Sequence, residues 1–187
     1  MTLYLFAGPN GSGKSTIIAQ YIKANNLENV EYICPDIYAQ SIFCNIKDEK
    51  ERYISAIKFS EYKRTKLLNE NKPLIVETVL SRIDKIDFIK TAKEKGYKVI
   101  SVFVCTNSPE INIERVKKRV FEGGHDVPVD RLKDRYYKSL ENLKLLYKLS
   151  NEIYIYDNTV KPNLVAAKID DVNYIAENAP DWAKIED

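Results

Sequence analysis

Short apolar runs alternate with longer amphipathic stretches along the 187-residue chain. Five of the runs have the length and nearly continuous apolar character of strands buried in a parallel sheet. They are LYLFA (3–7), VEYIC (30–34), PLIVE (73–77), VISVFVC (99–105) and EIYIY (152–156). Between and after these runs, apolar residues recur at helical spacing. This spacing predicts helices near residues 14–25, 48–70, 83–95, 109–121, 128–149 and 163–176.

The alternation of strands and helices predicts an α/β fold with three layers, in which helices cover a central, mainly parallel five-stranded sheet. No linker, repeat or low-complexity tract divides the sequence, so we expect a single domain over residues 1–187. In folds of this class, ligands bind beyond the carboxyl ends of the strands. Polar residues that directly follow a strand are therefore the first candidates for a functional site.

The composition is that of an ordinary globular protein, with 44% hydrophobic and 30% charged residues. A formal net charge of +2 gives no global electrostatic case for binding nucleic acid or a membrane surface. No apolar run could span a bilayer, and the N-terminus enters the first strand without the basic region of a signal peptide. Cys34, Cys44 and Cys105 lack metal-ligand spacing. These features predict a cytoplasmic protein with buried or free thiols and no membrane partner, and they argue against a nucleic-acid partner.

The segment between the first strand and the first helix has the sequence GPNGSGKS, with the spacing G-x-x-x-x-G-K-S of a phosphate-binding loop. Its glycines allow backbone angles that a Cβ would block, so that several N–H groups can point at one anion. Lys14 can reach the β- and γ-phosphates of a nucleotide, and the Ser15 hydroxyl can ligate Mg²⁺. We therefore predict ATP and Mg²⁺ as cofactors. The residues predicted to bind the nucleotide are Gly8, Pro9, Asn10, Gly11, Ser12, Gly13, Lys14, Ser15 and Thr16.

Carboxylates follow the second and third predicted strands. Asp36 comes directly after Pro35 and before a helical stretch. It can act as a general base that takes a proton from an acceptor hydroxyl, or as a helix N-cap, and the spacing fits both roles. Glu77 can hold Mg²⁺ through water, bind a substrate hydroxyl, or form a cap or ion pair. No standard Walker B carboxylate is evident, so the second protein contact of the metal stays open between Glu77 and Asp36.

Two basic helical stretches, joined by a Gly-Gly pair, occupy residues 110–138. Each stretch carries two arginines four residues apart, which share a helix face: Arg115 and Arg119 on the first, Arg131 and Arg135 on the second. We predict a helical lid that closes these arginines over the triphosphate and excludes water. The alternative is a solvated helix pair held by ion pairs. His125, the one histidine of the chain, follows the glycines and is a candidate substrate contact.

In combination, these motifs resemble the zeta-toxin family. The resemblance rests on GPNGSGKS, on Asp36, on the Glu77-Thr78 pair and on RVKKRVFEGGHDVPVDRLKDRYYKSLENL, and it extends over about residues 3–160. Its most specific parts are G-G-H-x-x-P and Y-x-x-S-L-x-N-L. The sequence is most similar to the small, stand-alone bacterial members that are often labelled predicted ABC-type ATPases. The resemblance implies the fold of P-loop kinases, with a parallel sheet and a helical lid.

The resemblance also implies a reaction and roles for the site residues. Characterised zeta toxins use ATP and Mg²⁺ to phosphorylate the 3′-hydroxyl of the sugar in UDP-N-acetylglucosamine. Lys14 and Ser15 would act in the phosphate loop, Asp36 as the catalytic base, and Glu77 with Thr78 on the substrate side. The arginines that would stabilise the transition state are Arg119 as the first candidate, followed by Arg115 and Arg135.

These inferences favour a small-molecule kinase, and a UDP-activated amino sugar is the leading acceptor. A polynucleotide end, another nucleotide or an antibiotic hydroxyl are alternative acceptors. A different class of function is an interaction module that ATP gates without phosphate transfer. ATP turnover that depends strictly on an added acceptor would separate a kinase from such a module. The resemblance also makes an antitoxin protein a candidate partner, although no segment of the sequence shows an antitoxin site.

Overall fold

The computed structural model describes residues 1–124, 126–170 and 172–185. Within these ranges the chain forms one seven-stranded sheet with the order β2-β3-β1-β4-β5-β6-β7. The strands are β1 (Thr2–Ala7), β2 (Glu31–Ile33), β3 (Leu74–Thr78), β4 (Lys98–Cys105), β5 (Glu152–Asp157), β6 (Asn163–Ile169) and β7 (Val172–Ile175). The helices are α1 (Lys14–Ala24), α2 (Pro35–Ser41), α3 (Glu49–Asn69), α4 (Ile83–Glu94), α5 (Pro109–Phe121) and α6 (Val129–Leu149), with a 3₁₀ turn at Asp181–Ala183.

The five strands predicted from the apolar runs all form, and they pair in parallel from β2 to β5. The α/β class with a mainly parallel sheet is therefore confirmed. Strand β1 lies between β3 and β4 at the centre of the parallel region. This position explains its nearly unbroken apolar sequence, since a central parallel strand is buried on both faces.

The predicted helix over 163–176 is wrong, because this segment forms β6 and β7 and extends the sheet by an antiparallel hairpin. The strand conformation is favoured because β5 would otherwise have an unpaired edge, and β6 pairs along this edge. Val165, which points into the core of the sheet, is 1% exposed. Asp170, just beyond β6, has a φ of 51°, a left-handed conformation that ends the strand. The described sheet consequently has seven strands and not the five that we predicted.

Helices cover both faces of the sheet. On one face, Ile17 and Ile18 of α1 pack against Phe6, Ile75 and neighbouring strand residues. On the other face, a larger cluster joins the sheet to α3, α4 and α6. Helices α5 and α6 also share a separate small core, made by Ile113, Val116, Val127 and Leu132. Among the described residues, no helix is both long enough and apolar enough to cross a bilayer.

The contrast between Val165 and Val172 tests the placement of the hairpin, since Val165 is 1% exposed and Val172 is 72% exposed. Val165→Thr places a hydroxyl in an apolar core, so we expect the free energy of unfolding to fall by about 1–3 kcal/mol. Val172→Thr, the control at the exposed edge, should change it by less than about 0.5 kcal/mol. Urea unfolding followed by circular dichroism measures both values. Equal losses would contradict the placement of the two strands.

Candidate functional site

The loop between β1 and α1 has the backbone conformation that an anion-binding cradle requires. Gly13, the residue before α1, has a φ of 91°. A Cβ at this position would lie 2.2 Å from the side-chain nitrogen Nδ2 of Asn158. Gly8 has a φ of 140°, and its Cβ would lie 2.0 Å from the carbonyl oxygen of Val104. No side chain of the described residues caps the N-terminus of α1. The first N–H groups of this helix are therefore available to an anion.

Lys14, the first residue of α1, is 6% exposed. Its ammonium group donates a hydrogen bond of 2.9 Å to the carbonyl oxygen of Pro9, within the same loop. Burial lowers the pKa of Lys14, whereas the negative charges of Glu77 and Asp36 act in the opposite direction. Both carboxylates are thus close enough to the lysine to compensate part of the cost of burying its charge.

A cleft of about 760 Å³ lies along the carboxyl ends of the parallel strands. It brings together most of the residues that the sequence predicted for the site: Asn10, Gly11, Gly13, Lys14, Ser15, Thr16, Asp36, Glu77, Thr78, Arg115, Arg119 and Arg135. Gly8, Pro9 and Ser12 do not line the cleft and are buried in the loop beneath it. His125 lies outside the described residues, so its predicted contact with substrate stays a prediction.

Asp36 is the second residue of α2 and lines the cleft with an exposed side chain. The N-cap of α2 is Cys34, followed by Pro35 in the first turn. The N-cap interpretation of Asp36 is therefore wrong, since helical geometry starts one residue before it. The positive end of the helix dipole still stabilises the negative charge of this carboxylate. Its position at the cleft wall is compatible with the general-base role, which stays a prediction.

Glu77 and Thr78 are the last two residues of β3, and hydrogen bonds hold both side chains. The Glu77 Oε2 atom accepts a hydrogen bond of 2.5 Å from the hydroxyl of Tyr32 and a longer one, 3.6 Å, from the thiol of Cys34. The Thr78 hydroxyl oxygen accepts a bond of 3.1 Å from the backbone N–H of Leu80. Leu80 has a φ of 60° and is fully buried, which marks a strained backbone next to the cleft.

The lid arginines differ in what they contact. Arg115 donates hydrogen bonds of 2.9 and 3.0 Å to the carbonyl oxygens of Asn158 and Thr159, in the turn after β5. Arg135 is half-buried and contacts the side-chain oxygen of Asn10 at 3.4 Å. Burial, and next the nearby charge of Arg131, lower the pKa of Arg135. Arg115 thus holds the turn after β5 against α5, and the predicted transition-state roles of all three candidates stay predictions.

Basic side chains that the site prediction does not include also line the cleft. Arg64 of α3 lies over the ring of Phe88 at 4.8 Å, and its buried Nε has no hydrogen-bond partner among the described residues. Its guanidinium is 3.7 Å from Glu61, whereas Lys85 of α4 contacts Asp84 at 2.8 Å. No local motif marks these residues, because only the packing of α3 and α4 brings them to the cleft.

The Zeta toxin family model matches residues 2–168, which include β1 to β5 and both lid helices. The chain belongs to the zeta-toxin family. A Haemophilus influenzae protein is 31% identical over 132 residues, which are 70% of this chain and 89% of the relative. The predicted resemblance is thus confirmed.

Two solved structures share the fold of this zeta-toxin family member. The AvrRxo1-ORF1:-ORF2 structure with ATP has a TM-score of 0.75 at 19% identity, over 95% of this chain and 61% of that chain. A structure of the PezAT chromosomal toxin-antitoxin system of Streptococcus pneumoniae has a TM-score of 0.64 at 24% identity, over 83% of this chain and 67% of that chain. At these identities the likeness shows a common fold. The present chain spans less than two thirds of the AvrRxo1 chain.

The contacts of Arg115 give a prediction about stability. Arg115→Met removes two charged hydrogen bonds to backbone carbonyls, so we expect the free energy of unfolding to fall by about 1–3 kcal/mol. Arg131→Met, at an exposed lid position that also lines the cleft, is the control and should change stability by less than about 0.5 kcal/mol. Urea unfolding measures both. Wild-type stability in Arg115→Met would show that the turn after β5 does not depend on this arginine.

Proposed function

We propose that the protein is an ATP-dependent phosphotransferase that moves the γ-phosphate of ATP to a hydroxyl of a small-molecule acceptor. The observation that carries this proposal is the single cleft into which the phosphate loop, the Asp36 and Glu77 carboxylates and the lid arginines all project. Membership of the zeta-toxin family supports the same reaction class. So does the AvrRxo1 structure, which was obtained with ATP.

The residues of the loop fit a nucleoside triphosphate. Gly8 and Gly13 have positive φ values that let the loop pack against Val104 and Asn158, and the uncapped N-terminus of α1 offers N–H groups to phosphate oxygens. Among the described residues, no group of three or more His, Cys, Asp or Glu side chains could hold a metal by itself. This suits Mg²⁺, which takes most of its ligands from phosphates and water. Ser15 would contact the ion, and Asp36 or Glu77 would be its second protein contact. When bound, Mg²⁺ neutralises charge on the transferring group.

In the proposed reaction, the acceptor oxygen forms a bond to the γ-phosphorus while the bond from this phosphorus to the bridging β-phosphate oxygen breaks. ADP leaves, and the hydroxyl proton passes to the carboxylate of Asp36. Lys14 and the lid arginines, with Arg119 as the first candidate, hold the negative charge of the transferring group. Positioning of the two reactants in line accounts for a large part of the rate in such reactions.

A UDP-activated amino sugar is the acceptor that we favour. The cleft of about 760 Å³ is within the size range of small-molecule sites. Arg64 and Lys85 also line the cleft, where a guanidinium and an ammonium group would suit an acceptor that itself carries phosphates. A cytoplasmic location is part of the same proposal. The PezAT structure belongs to a toxin-antitoxin system, and it supports an antitoxin protein as a candidate partner.

The test is a ³¹P NMR and mass-spectrometric assay of the protein with Mg-ATP and UDP-N-acetylglucosamine. We expect a new phosphomonoester on the sugar. Asp36→Asn should retain ATP binding and lose transfer by about 10²–10⁴-fold, since it removes the proton acceptor. Asp87→Asn, on the exposed face of α4, is the matched control and should transfer normally. Normal transfer by Asp36→Asn would refute its role as the base. No product from a protein that still binds ATP would refute the UDP-sugar as acceptor.

A pair of glycines tests the nucleotide site. Gly13 and Gly96 have φ values of 91° and 80°, so alanine is strained at both, by about 1–2 kcal/mol. Only Gly13→Ala also brings a Cβ against Asn158, whereas nothing lies within 4 Å at Gly96. We expect Gly13→Ala to weaken ATP binding by about 100-fold or more, equivalent to about 2.7 kcal/mol. Gly96→Ala should bind ATP as the wild type does. Isothermal titration calorimetry measures both, and unchanged affinity in Gly13→Ala would contradict the loop as the ATP site.

A further inference from the structure

We propose that Tyr32 is a positioning residue that fixes the carboxylate of Glu77 in the cleft. This inference rests on the proposed phosphotransfer reaction, in which Glu77 binds the acceptor or the metal. The family resemblance assigns no role to Tyr32, and no local motif marks it in the sequence. The geometry of β2 and β3 is what singles it out.

Strand register places the two side chains together. Strands β2 and β3 are parallel neighbours, and Tyr32 lies opposite Ile75. Glu77 is two residues beyond Ile75, so its side chain and that of Tyr32 lie on the same face of the sheet. The Tyr32 side chain is long enough to span the diagonal distance between the two residues on neighbouring strands. Its hydroxyl lies 2.5 Å from the Glu77 Oε2 atom.

Tyr32 approaches Glu77 from the packed side of the sheet. Glu77 lines the cleft, but Tyr32 is not among the residues that line it. The Tyr32 ring instead packs against the apolar cluster between the sheet and α1, which includes Phe6 and Ile18. Tyr32 therefore touches the carboxylate and not the space that a substrate would fill. A change at its hydroxyl acts on a bound ligand through Glu77, to which the hydroxyl is hydrogen-bonded.

The phenol is the donor in this pair. An ionised carboxylate only accepts hydrogen bonds, so at 2.5 Å the Tyr32 hydroxyl is the donor to Oε2. The thiol of Cys34 contacts the same Oε2 atom at 3.6 Å. With both donors on Oε2, Oε1 is the oxygen available to a ligand in the cleft. The Tyr32 hydrogen bond thus holds the carboxylate in one orientation at the wall of the cleft.

Removal of one hydroxyl outside the cleft should therefore slow transfer without weakening nucleotide binding. For Tyr32→Phe we expect kcat to fall by about 10-fold, which is the scale of losses when a partner of an active-site ligand is removed. The KM for ATP should stay within about twofold, because the phosphate loop is untouched. Tyr154→Phe is the matched control. It removes a hydrogen bond of 3.1 Å from a tyrosine hydroxyl to the carboxylate of Glu152, and both residues lie on β5, away from the cleft.

A double-mutant cycle with Glu77→Gln separates positioning from general destabilisation. If Tyr32 acts through Glu77, Tyr32→Phe should have little further effect on kcat in the Glu77→Gln background. The proposal is overturned if Tyr32→Phe transfers phosphate at the wild-type rate, or if its loss is the same in both backgrounds. Thermal unfolding of each variant shows whether a lower kcat comes from a destabilised fold.

A spectroscopic measurement tests the pair without any acceptor. In protein labelled with ¹³Cζ-tyrosine, the resonance that disappears in Tyr32→Phe is assigned to Tyr32. Glu77→Gln should move this resonance, because a charged acceptor is replaced by a neutral one, and leave that of Tyr154 in place. An unmoved Tyr32 resonance would overturn the proposal. A moved resonance in a protein that transfers phosphate to no acceptor would refute the proposed function and, with it, a positioning role in that reaction.

Discussion

The amide of Asn158 lies in the space that a Cβ on Gly13 would fill, and it donates a hydrogen bond of 2.8 Å to the carbonyl oxygen of Ser12. This contact ties the turn after β5 to the phosphate loop. The same turn accepts both hydrogen bonds of Arg115, which belongs to the first lid helix. Three parts of the site that are distant in sequence thus meet at one residue. The relative position of loop, turn and lid depends on it, since backbone polar groups at such a junction need partners.

Burial of charge is the second constraint on this site. Lys14 is held in a nearly closed environment, where an isolated ammonium would be costly. The charges of Glu77 and Asp36 offset part of that cost, and the hydrogen bond from Tyr32 holds the Glu77 carboxylate in place. Because these side chains hold one another in place, their positions are fixed before any ligand binds. Rigid, preorganised charges are what phosphoryl transfer demands, because positioning and electrostatics supply most of its catalysis.

Features carried by local sequence could be predicted, and those set by tertiary pairing could not. The buried strands and the loop from Gly8 to Ser15 are continuous patterns whose form depends on few distant residues. The segment that includes Val165 has apolar residues at spacings compatible with either helix or strand, and the free edge of β5 favours the strand. Tyr32 and Arg64 acquire their roles only through strand register and helix packing. Arg115 has the spacing of a lid arginine, but the turn that it contacts lies about forty residues downstream.

The lid has a structure of its own within this frame. Ile113, Val116, Val127 and Leu132 form a small core that belongs to α5 and α6 and is separate from the cores on the sheet. Helix α6 belongs to two cores at once, because Tyr136, Leu143 and Leu146 lie in the larger cluster on the sheet, so α6 connects α5 to the body of the fold. Arg115 anchors one helix firmly, whereas the contact of Arg135 with Asn10 on the other helix is long, at 3.4 Å. The position of α5 is thus set on one side by the core that it shares with α6 and on the other by the Arg115 hydrogen bonds to the turn after β5. Two contacts of different kinds, one apolar and one charged, hold the same helix beside the phosphate loop.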